Sequence, residues 1–332
     1  MTGKEPGYIA LYRSGELKRR ARRLQKRLAD CDICPRQCGI NRWEGERGFC
    51  HAGYPPAVAS VGAHHGEEPA LSGSRGSGTV FFGNCNLRCV YCQNYQISQD
   101  YKSQRRNEIT ISALAERFLY LQEAGCHNIN LVSPCHYVPQ IVLALLEAAA
   151  QGLRLPLVYN TSSYDSMETL QELDGVVDIY LADLRYADNK WGRRFSGAED
   201  YAERSRAAIK EMQRQVGDLV TDGAGIAEKG LIVRHLILPN GIAGSDDSLR
   251  WLVKEVSPRV ALSLMSQYFP AHKAGKYPEL ARTISREEYE AVAKLVDELG
   301  IENGWVQAMG AAKVYLPDFK NEAGPFAGEG KK

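Results

Sequence analysis

Three cysteines stand close together in Cys85-Asn-Leu-Arg-Cys89-Val-Tyr-Cys92, spaced by three residues and then by two. Three thiolates so placed can wrap one face of a cubane, and a [4Fe-4S] cluster has four irons, so one iron is left without a protein ligand. That open iron can chelate the amino and carboxylate groups of a methionine moiety. An electron from the cluster can then break a sulfonium bond, with the chain supplying position and exclusion of water. The competing metal is zinc, which normally takes four protein ligands from paired C-x2-C units. Here the triad has no fourth cysteine nearby.

The elements that must position this triad can be read from the apolar pattern. The cysteines follow directly on the run Thr79–Gly83, and from Gly78 onward short β-branched runs alternate with amphipathic stretches. Strands are expected at Thr79–Gly83, Asn128–Ser133, Leu155–Asn160, Val177–Asp183, Leu231–Leu238 and Val260–Ser266. Helices are expected near 112–124, 138–152, 165–174, 201–216, 246–256 and 285–299. Asp165-Ser-Met-Glu168 and Ser285-Arg-Glu-Glu288 have capping-box spacing. Six strands alternating with six helices imply a parallel sheet with right-handed crossovers, as a partial barrel or a doubly wound sheet. Ligands then bind at the C-terminal strand ends. The segment 187–230 exceeds what a crossover needs and is expected to shape substrate access. The organisation expected is an N-terminal helix and Cys-rich extension over 1–76, a barrel core over 77–300, and a C-terminal extension over 301–332 ending in a mobile Gly-rich tail.

With these residues in view, Cys85–Cys92 resembles the CxxxCxφC signature of radical S-adenosylmethionine (SAM) enzymes. Within that superfamily FFGNCNLRCVYCQNYQIS resembles the pyruvate formate-lyase activating enzyme-like branch, as do NINLVSP, VYNTSSYD, DIYLADLRY, LIVRHLILPNG and ENGWVQ. The resemblance implies an α/β fold, a partial (β/α)6 barrel of the radical SAM type. It also implies a [4Fe-4S] cluster and SAM as cofactors, and reductive cleavage of SAM to methionine and a 5′-deoxyadenosyl radical. That radical would abstract hydrogen from a small molecule or from a glycyl radical enzyme. A low-potential donor such as a flavodoxin or ferredoxin would supply the electron.

Site residues follow from the same resemblance. Tyr91 matches the aromatic that packs near the adenine. Ser133 falls where the superfamily has a Gly-Gly-Glu stretch, and Asn160 where activating enzymes place an Asp beside SAM. Asp183 matches an acid facing the ribose region, Arg185 a base facing the SAM carboxylate, and Arg234 a SAM-contacting arginine. The simpler reading of these polar residues is a set of barrel-mouth salt bridges.

A second set, Cys31, Cys34, Cys38 and Cys50, places four thiols within a turn-rich, Gly-rich segment. Four sulfur ligands can close an auxiliary Fe–S cluster or a zinc site. Cys126 is expected in the core. Cys135, at a strand end, is either core or near the cofactor. His235 is expected to pack beside the fifth strand. His64-His65-Gly66-Glu67-Glu68 reads as a polar surface turn, with metal ligation or a pocket lining as the alternative.

Composition narrows the function classes. Lys plus Arg (41) nearly balances Asp plus Glu (40), so no global field attracts nucleic acid or an anionic membrane. The basic run Lys18–Arg27 lies where Leu17, Leu24 and Leu28 recur at helical spacing and reads as a solvated helix face. No apolar stretch reaches membrane-spanning length, and a cytoplasmic, reducing compartment is expected for the clustered cysteines. Gly78 and Gly83 form no dinucleotide fingerprint. The alternative to an enzyme is a non-catalytic Fe–S electron-transfer or sensing protein.

Overall fold

The computed structural model describes residues 5–310, 317–321 and 325–326. Its centre is one sheet of nine strands: β1 (Val58–His64), β2 (Ser77–Phe82), β3 (Ile129–Val132), β4 (Leu157–Thr161), β5 (Ile179–Asp183), β6 (Val220–Thr221), β7 (Ala227–Leu236), β8 (Ala261–Met265) and β9 (Gly304–Val306). The order is β1-β2-β3-β4-β5-β7-β8-β9, with β6 paired to β7 alone. Neighbours from β2 to β9 are parallel, whereas β1 runs antiparallel to β2.

The six expected parallel strands are therefore present, and the residues on either side add two more. β1, VASVGAH, lies in the turn-rich N-terminal segment and is only half-buried, and β9 is three residues long, so neither stands out in the sequence, and pairing with a formed edge stabilises them. β2 to β5 are buried along their whole length, which is why their apolar residues occupy both faces rather than alternating with solvent-facing ones.

Six helices, Ile111–Glu123, Val138–Ala150, Met167–Glu172, Tyr201–Val216, Ser245–Glu255 and Arg286–Glu298, occupy the expected connections. Ser285 and Glu288 form the expected capping box. The other one is corrected: Ser166 caps its helix, while Asp165 is buried and accepts from the hydroxyls of Tyr159 (2.8 Å) and Thr161 (2.6 Å). A cap must face the first turn, and Asp165 faces the core.

The N-terminus forms two helices, Gly7–Arg13 and Glu16–Lys26, parted at Gly15, whose φ is 74°. The basic run is more than a solvated face. Arg20 donates to the carbonyls of Glu172 and Asp174, Arg23 pairs with Glu172, and Arg27 reaches Thr169. Apart from Pro325 and Phe326, the expected mobile tail lies outside the described residues.

Between β1 and β2 the short helix Pro69–Ser72 plugs the half-barrel. Ala70 and Leu71 pack against Val158, Ile179, Leu181 and Ile232, which point inward from β4, β5 and β7. Leu71 is fully buried. Leu71→Ala is expected to cost about 2–5 kcal/mol through lost transfer energy and the void left behind, read as a lower thermal or urea midpoint.

Candidate active site

The triad loop leaves β2 through Asn84, which has a left-handed φ of 69° and whose Nδ2 donates to the Tyr137 hydroxyl at 3.1 Å. The loop is braced by the insert that was expected to shape access. The amides of Arg88 and Val90 donate to the carbonyls of Ser196 (2.9 Å) and Phe195 (2.8 Å), at the C-terminal end of helix Asn189–Ser196. Arg88 also donates to the carbonyls of Cys85 and Leu87, and to that of Phe49.

Each triad thiol meets a polar partner. Cys89 Sγ lies 3.1 Å from Ser196 Oγ, and Cys92 Sγ lies 3.2 Å from Ser98 Oγ. The Leu87 amide donates to Cys85 Sγ at 3.4 Å. Burial, reinforced by the charge of Cys89, raises the Cys85 thiol and pushes Cys92 up to about 12. These thiols are therefore poor anions until a positive centre arrives, as expected of ligands that ionise on binding metal. From Cys89 a hydrogen-bond path continues through Ser196 Oγ to the Tyr186 hydroxyl (2.9 Å) and on to the Tyr91 hydroxyl (2.6 Å).

Arg185 joins the triad to the sheet. Its Nη1 lies 3.2 Å from Cys89 Sγ, and its Nη2 donates to Asp183 Oδ2 at 2.7 Å. Arg234 donates from Nε to the other Asp183 oxygen at 2.7 Å and from Nη2 to Asn160 Oδ1 at 2.6 Å. Arg234 Nη1 stands 3.7 Å from Glu67. The result is a row in which acidic groups alternate with guanidiniums, Cys89–Arg185–Asp183–Arg234–Glu67. Burial alone would raise the Asp183 carboxyl, but the charges of Arg234 and Arg185 outweigh it and hold it below the usual carboxylate range.

Arg185, Asp183, Arg234 and Glu67, but not Cys89, line a cavity of about 490 Å³, within the range of small-molecule sites. Tyr91, Cys92, Asn160, Asp183, Arg185 and Arg234 all face it. Ser133 is not among its lining residues. It follows β3 with a left-handed φ of 57°, a conformation in which glycine is the natural occupant, and its amide donates to the Asn160 carbonyl.

His64, Glu67 and Glu68 do line the cavity, so the reading of this stretch as a surface turn is corrected. The plug helix that follows carries them inward. His235 is buried as expected, bonded to the Leu184 carbonyl and Ser245, and Cys126 is core.

The N-terminal cysteines converge elsewhere. Cys31, Cys34, Cys38 and Cys50 line one small void together with Arg42, Gly48 and His136. A Cβ on Gly48 would stand 2.7 Å from Cys38 Sγ, so only glycine leaves that thiol its place. Arg42 is 1% exposed, and its guanidinium donates to the carbonyls of Gly53 and His136. Among the described residues no carboxylate pairs with it. Cys135 lies between the two centres rather than in the cavity. It is hydrogen-bonded to Cys34, which lowers the Cys34 thiol, and it accepts from Asn86 Nδ2 at 3.3 Å. Among the described residues no three His, Cys, Asp or Glu side chains are drawn together around a single metal ion.

Sequence reasoning missed Ser196, Tyr186, Asn86 and Arg42. None carries a local signal, because each acts across a contact 39 or more residues distant or through backbone carbonyls.

Residues 79–226 match the model of the Radical SAM superfamily. Domains of this family use a [4Fe-4S] cluster and SAM.

The chain is 28% identical over 280 residues to the uncharacterized protein MJ0674 of Methanocaldococcus jannaschii, covering 82% of this chain and 76% of that protein. It is 39% identical over 83 residues to MJ0808 of the same organism, covering 21% and 24%. Among solved structures it is similar to HydG, a maturase of the [FeFe]-hydrogenase, with a TM-score of 0.43 and 11% identity over 67% of this chain and 48% of that one. TYW1 with a lysine-pyruvate adduct bound gives a TM-score of 0.36 and 13% identity over 64% and 70%. The chain thus spans about half the HydG chain and about a quarter of MJ0808. No helix among the described residues is long and apolar enough to cross a membrane.

Asp183 is a buried anion shared by two guanidiniums, and removing one partner of such a set typically costs about 3 kcal/mol or more. Its depressed folded pKa supplies stability that is present above the unfolded value and lost as pH falls through the folded one. Asp183→Asn is therefore expected to lower the urea midpoint at pH 7 by an amount equivalent to about 3 kcal/mol. The deficit should shrink below about pH 4, checked by urea titrations across pH.

Proposed function

We propose that this chain is an enzyme in which Cys85, Cys89 and Cys92 hold the [4Fe-4S] cluster and Asn160, Asp183, Arg185 and Arg234 shape the SAM pocket. The observation that carries the reading is the row of acidic groups and guanidiniums from Cys89 into the cavity. It links the cysteine loop to the inward faces of β4, β5 and β7, where an electron-transfer or sensing protein has no need of paired arginines. When bound, the cluster supplies the electron that cleaves SAM reductively. Tyr91 lies against the cavity, fixed by its hydroxyl contact with Tyr186. Arg185 offers a fork suited to a carboxylate, and the bracing by Phe195 and Ser196 fixes the loop against the barrel.

The hydrogen donor we favour is a small molecule, because the cavity is of small-molecule size and is faced by Trp305, Phe326 and Pro317. The resemblance to pyruvate formate-lyase activating enzyme-like proteins supports a glycyl radical enzyme as the second reading. Asn160 stands where the activating enzymes have an acid and counts against that version.

Anaerobic reconstitution with iron and sulfide, followed by reduction in the presence of SAM, is expected to yield 5′-deoxyadenosine. Cys92→Ala is expected to abolish it. Continued formation in that variant, or none in the unaltered chain, rejects the reading.

For the N-terminal set, the buried Arg42 guanidinium, hydrogen-bonded to the Cys31 thiol as well as to carbonyls and with no carboxylate partner among the described residues, supports an anionic metal–thiolate centre of Cys31, Cys34, Cys38 and Cys50. The double variant Cys31→Ala, Cys34→Ala is expected to lose that metal while still producing 5′-deoxyadenosine. Loss of about four irons assigns an auxiliary cluster, and loss of one zinc assigns a structural site.

A further inference from the structure

The cavity floor carries a pair of carboxylates that the reaction outlined above does not use. Glu67 and Glu68 directly precede the plug helix Pro69–Ser72 and face the cavity. The Glu67 side chain is 9% exposed, and Glu68 is 8% exposed as a residue. Burying two adjacent acids is costly unless something pairs with them.

The pairing within the chain is incomplete. Arg234 faces both, but its nearest partner is Asp183 at 2.7 Å, against 3.7 Å to Glu67. Arg185 is taken by Asp183 and Cys89. Two guanidiniums thus serve three carboxyls, and the Glu68 side chain is further hydrogen-bonded to Glu67 and to Ser263. Glu68 Oε2 is buried without a hydrogen-bond partner among the described residues, and His64 beside it is held neutral at this position, its burial pushing it down to about 4. Burial, together with the charge of Glu67, keeps the Glu68 carboxyl above its ordinary range despite Arg234.

Around these two carboxyls stand aromatic faces. His64 stacks on Phe326 with centroids 3.9 Å apart, and Phe326 lies 5.9 Å from Phe81. Trp305 lines the same cavity. A pair of buried carboxyls with one oxygen, Glu68 Oε2, lacking a hydrogen-bond partner among the described residues, walled by aromatic rings, suits an ammonium group, which donates hydrogen bonds to the first and is attracted by the second. An anion would be repelled by the carboxyls as they ionise, whereas a cation favours their ionised form.

We propose that Glu67 and Glu68, with the aromatic wall of His64, Phe81, Phe326 and Trp305, form a subsite for a protonated amine, and that the small-molecule substrate carries this group. The proposal rests on the reading of the cavity as a substrate site. It names the class of substrate as an organic cation.

The test uses the anaerobically reconstituted, unreduced chain, so that no SAM is cleaved. Benzylamine, benzyl alcohol and benzoate serve as cationic, neutral and anionic probes of one shape, titrated by calorimetry with and without SAM. Benzylamine is expected to bind at least tenfold more tightly than either comparator, with SAM present or absent. Glu67→Gln with Glu68→Gln is expected to weaken it about tenfold, the scale of losing one charge-assisted hydrogen bond.

Equal affinity for the three probes in the unaltered chain overturns the proposal, whether or not the variant folds. So does unchanged benzylamine binding in a folded variant. Displacement of benzylamine by SAM also overturns it, since the carboxylates would then belong to the SAM pocket. Because binding is read without turnover, absence of 5′-deoxyadenosine in the reduced enzyme would count against the catalytic reading and leave this result readable.

Discussion

Asp183 is a buried carboxylate at the end of a parallel strand, tolerable only because two guanidiniums share it. Each of its oxygens takes one arginine at 2.7 Å, and the arginines are thereby aimed in opposite directions. Arg185 is turned toward the thiol of Cys89, and Arg234 toward Asn160 and the glutamates of the floor. A charge in this setting cannot be moved without stranding its partners. The relation between the cysteine loop, the strand ends and the cavity floor is held by this one residue.

The scaffold around it follows from the same economy. The triad loop has no regular structure to satisfy its own amides, so the carbonyls of Phe195 and Ser196 accept them, and Ser196 adds a hydroxyl beside Cys89. A segment that looks in sequence like surplus length is what holds the loop still. On the opposite side, Cys135 and Asn86 connect the neighbourhood of Cys85 to Cys34, so the two cysteine-rich regions share a buried polar contact rather than standing as separate appendages. Arg42, sealed among carbonyls beside four thiols, has the charge that a metal–thiolate centre would balance.

Much of the frame was legible beforehand, for a physical reason that differs from element to element. Strands buried on both faces, such as Ile129–Val132 and Ile179–Asp183, carry apolar residues on both faces. The helices between them declare themselves by period, and Ser285 with Glu288 declares a boundary by capping chemistry. The short strands Val58–His64 and Gly304–Val306 have no such pattern, since they exist only where a neighbour's free edge supplies half of each hydrogen bond. Asp165 had the spacing of a cap and became a core acceptor, because the hydroxyls of Tyr159 and Thr161 are closer to it than the helix amides it was expected to serve.

The site divides along the same line. Local covalent spacing determined that Cys85, Cys89 and Cys92 lie on one loop, and that Asp183, Arg185 and Arg234 fall at or near the ends of neighbouring strands. These are relations within a few residues, or fixed by strand register. Tertiary structure alone decided that Glu67 and Glu68 turn inward, that Ser196 reaches Cys89 across 107 residues, and that the arginines bind one shared carboxylate. Those outcomes depend on which buried charges find partners in three dimensions, and sequence order does not encode that balance locally.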